Sequence, residues 1–129
     1  VQQNIQHIAL VVLDYDEAIN FYCNKLHFNL LEDTVLSPTK RWVLVAPPGS
    51  KNGCSILLAK AANENQIASV GNQTGGRVFL FLHTDNFDRD YQNLLTHNVQ
   101  IVRTPKEEIY GTVAVFADLY GNLWDLIGK

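Results

Sequence analysis

The stretch Gln6-His7-Ile8-Ala9-Leu10-Val11-Val12-Leu13, followed by Asp14-Tyr15-Asp16-Glu17-Ala18-Ile19-Asn20-Phe21-Tyr22, decides the fold. Its opening run is almost unbroken apolar sequence, the pattern of a strand covered on both faces. Asp14 then stands where an N-cap carboxylate belongs, and Glu17 completes a capping-box pattern three residues later. Behind it Tyr15, Ala18, Ile19, Tyr22, Cys23 and Leu26 recur at helical spacing, giving one apolar stripe over about three turns. A strand followed at once by a capped amphipathic helix is therefore predicted.

Further strands are predicted downstream at residues 28–36, 42–46 and 55–59. The last two are parted by the turn sequence Pro47-Pro48-Gly49-Ser50-Lys51-Asn52-Gly53. The second half repeats this order. Residues 77–84 read as a strand, and Asn86, which lies 72 residues after Asp14, caps a helix with Phe87, Tyr91, Leu94 and Leu95 on its apolar side. Strands at 99–102, 112–117 and 123–127 follow, the last two joined through Asp118-Leu119-Tyr120-Gly121-Asn122. Residues 63–76 are polar and glycine-containing, which suits a connector more than an element. The natural reading is duplication of a βαβββ unit, each copy a sheet with an apolar face that needs covering. We divide the single α+β domain into a module at 1–62, a linker at 63–74 and a module at 75–129.

Composition narrows the function classes. The chain has 129 residues, 47% of them hydrophobic and 18% charged, the balance of an ordinary globular domain with one sizeable core. Its net charge is −3 and its densest basic cluster is only Lys40-Arg41, so nothing favours nucleic acid, which is held by grouped Lys and Arg. Cys23 and Cys54 are too few for a disulfide framework and read as reduced thiols in or near the core. No apolar run approaches the ~20 residues of a membrane helix. Val1-Gln2-Gln3-Asn4 lacks the charged start of a signal peptide, so a cytoplasmic protein is the default expectation. Gly71 and Gly75-Gly76 lack the strand-loop-helix setting of a phosphate loop.

The opening His7-Ile8-Ala9-Leu10-Val11-Val12-x-Asp14-x-Asp16-x-Ala18-x-x-Phe21-Tyr22 resembles the first strand and helix of the vicinal oxygen chelate superfamily. That superfamily groups the glyoxalase, bleomycin-resistance and extradiol-dioxygenase proteins. The ending Val115-Phe116-Ala117-Asp118-Leu119-Tyr120-Gly121-Asn122-Leu123-Trp124-Asp125-Leu126 is similar to its closing hairpin. The two motifs stand at opposite ends, and the βαβββ order between them agrees. The resemblance implies two modules forming a curved, cup-shaped mixed sheet with helices outside and a small-molecule site within. It also implies a homodimer.

In metal-dependent members of that superfamily, ligands come from the first and fourth strands of each module. Carried over one at a time, these positions fall on His7, Leu57, Phe79 and Asp125. Leucine and phenylalanine cannot bind a metal, so two of the four ligands survive. A divalent ion (Zn, Ni, Fe or Mn) normally draws at least three protein ligands. His83 shares the 79-81-83 face by strand alternation but lies ~13 Å along the strand from Phe79.

The His7 and Asp125 pair admits several roles. One is metal-free general-base chemistry, with Asp125 orienting the imidazole. A second is polar anchoring in a pocket otherwise lined by Leu57, Phe79, Phe81, His83 and Trp42. Others are a metal-assisted lyase, isomerase or dioxygenase, or a mutually satisfied relic. Glu107, Glu108 and Tyr110 precede Gly111 at the mouth of the implied cup, where Tyr110 is a ligand-contact candidate and a solvated loop the plainer alternative. Arg41 and Arg77 read as single surface arginines, and His27 and His97 as helix-end histidines. Trp124 alternates out of phase with Asp125 and is expected to pack against the helix layer. The function the resemblance implies is a glyoxalase/bleomycin-resistance-like protein that holds a small organic molecule in the cup, binding or sequestering it. A lyase, isomerase or dioxygenase-type enzyme using His7 and Asp125 is the alternative.

Overall fold

The apolar run that begins the chain becomes β1 (His7–Val12), and the capped stripe becomes α1 (Tyr15–Ile19), which continues as a π-helical segment, Asn20–Lys25. A computed structural model describes residues 1–129 and adds β2 (Asn29–Ser37), β3 (Lys40–Ala46), β4 (Ser55–Lys60) and α2 (Glu64–Ser69). The second half supplies β5 (Val78–Thr84), α3 (Phe87–Thr96), β6 (Gln100–Glu108), β7 (Gly111–Ala117) and β8 (Leu123–Gly128). By its contacts the chain divides into two compact units, Val1–Val70 and Gly71–Lys129.

Each unit contains one four-stranded mixed sheet. The orders are β1-β4-β3-β2 and β5-β8-β7-β6, so both sheets have the same topology. In each, the first and last strands of the unit pair in parallel at one edge and the other pairings are antiparallel. In the first unit Leu10, Val12, Val43, Val45, Ile56 and Leu58 fill one sheet face, each at most 3% exposed. Tyr15, Ala18, Phe21 and Tyr22 from the helix are buried with them. The opposite face carries His7, Ala9 and Val11, of which Ala9 is exposed, so β1 is covered on one face rather than two. In the second unit α3 contributes buried Phe87 and Leu94 beside Phe116, Trp124 and Leu126. Trp124 stacks on Phe116 at 6.0 Å and is 2% exposed, the core position its phase predicts.

The predicted caps form. Asp14 accepts the Glu17 N–H at 2.8 Å and Asn86 the Arg89 N–H at 3.1 Å. The closing turn is built around Asp118, a buried carboxylate that accepts the N–H groups of Tyr120 and Asn122 and the Asn122 side-chain amide. Those bonds satisfy the buried oxygens of the Asp118 side chain and fix the turn.

Two local expectations are corrected. The connector holds a helix, α2, because Asn63 accepts the Gln66 N–H at 2.9 Å while the Gln66 side chain accepts the Ala62 N–H at 2.7 Å. That reciprocal cap replaces the apolar stripe by which a helix is usually read. The strand expected at 99–102 runs on to Glu108 through Pro105. It is an edge strand, and its register shifts between Ile101 and Arg103 and again between Arg103 and Lys106. Bulges of this kind accommodate a proline that has no N–H to donate.

Candidate functional site

The face of the first sheet opposite its helix is defined by cross-strand registry. Ala9 pairs Leu57, Leu57 pairs Leu44 and Leu44 pairs Glu32, so these four project from one side of the sheet. His7 precedes Ala9 by two residues and lies on the same side, paired with Ser55. Trp42 joins from β3, paired with Thr34. The His7 ring meets the Trp42 indole edge-on, with centroids 6.0 Å apart at 79°. Its Nδ1 lies 2.6 Å from Ser55 Oγ, and Ser55 is 6% exposed. Ser55 in turn donates through Oγ to the Gln6 carbonyl at 3.3 Å, and its N–H donates to the same carbonyl at 3.1 Å. His7, Trp42 and Leu57 are all half-buried, so three sequence-predicted site residues share this face.

In the second sheet Phe81 pairs Asp125, Asp125 pairs Val115 and Val115 pairs Arg103, a row crossing all four strands on the face opposite α3. His83, paired with Ile127, extends it by one step on the same side. Phe81 is 63% exposed, and His83 and Arg103 are exposed as well. Burial pushes the Asp125 carboxyl above the ordinary carboxylate range, and the positive charge of Arg103 offsets this only in part. None of the chain's ion pairs involves Arg103.

Phe79 departs from its expected place. The register of β5 shifts between Val78 and Leu80, which leaves Phe79 in a bulge. Its ring meets Trp124 edge-on at 6.3 Å, and Trp124 belongs to the row of Leu80 and Phe116, the reverse side from Asp125. Strand alternation therefore joins Phe81 with His83 but does not carry back to Phe79. Tyr110 sits 68% exposed in the turn between β6 and β7, at the opposite edge of the sheet from Phe81. Arg41 is not a free surface arginine. It holds Asp33 through both carboxylate oxygens at 3.1 and 2.7 Å, reaches Asp16 at 2.9 Å and lies over the Tyr15 ring. That guanidinium holds the Asp33 carboxyl below the usual carboxylate range.

The donor set in each unit does not fit a resident divalent metal. No three His, Cys, Asp or Glu side chains gather as a coordination group. Beside His7 stand a hydroxyl and an indole, and the fourth-strand position is Leu57. The charged neighbour felt by Asp125 is a cation, which opposes a second positive charge. Cys23 and Cys54 are free and half-buried, and burial pushes the Cys23 thiol up, away from the thiolate that binds metals.

Two residues escaped the sequence reading. Ser55 lies two residues before Leu57 and so on its face, a relation that period-2 alternation contains. Arg103 lies beyond the strand end expected from composition, and only the bulged continuation of β6 sets it opposite Val115.

Comparison with known proteins agrees with this architecture. The chain is 61% identical over 128 residues to an uncharacterized protein of Shewanella frigidimarina, covering 98% of this chain and 94% of that one. It is 28% identical to the crystal structure of UcmS2, covering 98% of each chain with a TM-score of 0.85. It is also 28% identical to TnmS3, an antibiotic binding protein from Streptomyces sp. CB03234, covering 99% of this chain and 97% of that one with a TM-score of 0.78. No helix is long and apolar enough to cross a membrane. With the Glyoxalase/Bleomycin resistance protein/Dioxygenase superfamily model matching residues 4–126, the chain belongs to that superfamily.

Proposed function

We propose that this protein binds a small, largely aromatic organic molecule and releases it unchanged, as a binding or sequestering protein rather than a metal enzyme. The observation that carries the reading is the composition of the two helix-free sheet faces. Each combines an accessible aromatic side chain, Trp42 or Phe81, with one or two polar groups, His7 and Ser55 on one and Asp125 and Arg103 on the other. Apolar surface with a few placed polar groups is the usual make-up of a small-molecule site. The similarity to an antibiotic binding protein supports the same reading. The sparse metal donors favour binding over metal-assisted chemistry, for which a Lewis acid would have to be held by at least three groups.

Self-association belongs to this proposal. Leu31, Val35 and Leu36 of β2 are each more than half exposed, large apolar side chains grouped on one edge strand. A homodimer would cover them.

Tryptophan fluorescence tests the binding reading directly, because Trp124 is 2% exposed and Trp42 is half-buried. Titration with a panel of polycyclic aromatic antibiotics is expected to quench emission saturably for at least one compound. The response should disappear in Trp42→Phe, and the compound should be recovered intact. Absence of saturable quenching across the panel, or conversion of the compound, would overturn the proposal.

A further inference from the structure

We infer that Ser55 is a positioning residue that holds His7 as its Nδ1–H tautomer, leaving Nε2 as a bare acceptor for a hydroxyl or N–H donor of the ligand. This deepens the binding reading above and rests on it for the identity of the partner. The tautomer itself stands on the geometry of the first unit alone.

A serine hydroxyl carries one proton and two acceptor lone pairs. Ser55 Oγ has two polar neighbours, His7 Nδ1 at 2.6 Å and the Gln6 carbonyl at 3.3 Å. The carbonyl is only an acceptor, so a bond to it uses the serine proton. The close contact with His7 is then satisfied only if Nδ1 carries a hydrogen and donates it to Oγ. The reverse arrangement, with Oγ–H given to Nδ1, would set a serine lone pair against the carbonyl oxygen. Ser55 is nearly fully buried, where such a mismatch has no water to relieve it. The relay therefore runs from His7 Nδ1–H to Ser55 Oγ, and from Ser55 Oγ–H to Gln6.

Nε2 has no hydrogen bond within the chain. No unpartnered side-chain nitrogen or oxygen is buried, so Nε2 reaches the surface. With Nδ1 protonated, a neutral imidazole presents there a lone pair and no hydrogen. Its complement is a donor, such as a phenol, an alcohol or an amide N–H. The Trp42 ring edge-on beside the imidazole makes an aromatic bearer of that donor the better match.

Long-range proton–nitrogen correlation spectra of the ligand-free, nitrogen-15-labelled protein test the tautomer, at a pH where the imidazole is neutral. A His7→Gln spectrum assigns the resonance among the four histidines. His7 is expected to show a protonated Nδ1 and a bare Nε2. The pattern should be lost in Ser55→Ala and retained in Ser55→Thr, which keeps the hydroxyl. A protonated Nε2 in the native protein, or a protonated Nδ1 that survives Ser55→Ala, would overturn the inference. Should Ser55→Ala fail to fold, the native and Ser55→Thr spectra still decide it.

Binding of 1-naphthol and of 1-methoxynaphthalene tests the donor class. Native protein should prefer the naphthol by roughly tenfold, the worth of one net hydrogen bond. That preference should shrink to near unity in Ser55→Ala. If the tautomer is as stated but neither compound binds, it is the binding reading that fails.

Discussion

Asp125 and Asp33 are two carboxylates in one small protein whose surroundings act in opposite senses. Arg41 grips both oxygens of Asp33 and favours its charged form, while burial disfavours the charge on Asp125 more than Arg103 restores it. A carboxyl whose folded value is raised binds its proton more tightly in the native state than in the unfolded chain. Stability contributed by this group is therefore full at low pH and declines as pH rises from the ordinary carboxylate value through the raised one. Asp125→Asn removes that dependence. Thermal melts across a pH series should show the variant gaining on the native protein from about pH 4 upward and matching it below. A constant offset at every pH would show that Asp125 is not held in a desolvated state. At this scale the family resemblance carried its ligand positions onto His7 and Asp125, but said nothing of their partners. Ser55 and Arg103 are both remote in the chain from the residues they serve, 48 positions in the case of His7 and Ser55.

Among the elements, those with strong local signatures are where the sequence placed them. The Asp14 and Asn86 caps each rest on bonds spanning three residues, and short-range chemistry is what a linear reading sees best. Asn86→Ala should cost about 1 kcal/mol, as the Arg89 N–H loses its acceptor, measured as a shift in urea midpoint with an unchanged slope. The elements that were misjudged fail for identifiable reasons. α2 is polar on every side, with Ile67 53% exposed and no buried residue, so its helical period leaves no trace in hydrophobicity. β6 continues past Val102 with a proline and four charged residues, a composition that reads as loop until pairing with β7 makes it a strand. The bulge at Phe79 is invisible for the same reason. A strand with an extra residue has the same composition as one without, and a one-residue offset turns the side chain to the other face.

For the molecule as a whole, two units of the same topology agree with the internal repeat that the caps reveal. The exposed apolar side chains of β2 and of the β6–β7 turn are the feature composition cannot show, since a hydrophobic residue reads alike whether buried or bare. If they mark self-association, sedimentation equilibrium across the micromolar range should give about twice the 14.5 kDa chain mass. Paired Val35→Lys and Leu36→Lys substitutions should shift the population to monomer without lowering helical content. A native protein that stays monomeric would remove the dimer from the proposal and leave the ligand reading intact.

The sequence by itself determined the order of the strands, the two principal helix starts, the apolar faces of the central strands and the repetition of one βαβββ pattern. These follow from periodicity and capping, which act over a few residues and are written in the chain. The tertiary structure decided which side chains meet: Ser55 with His7, Trp42 beside the imidazole, Arg103 in the row of Asp125, and Phe79 turned toward Trp124. Those relations are set by strand register and bulges, which arise from pairing between distant segments. A single unpaired residue changes them while leaving every local pattern as it was.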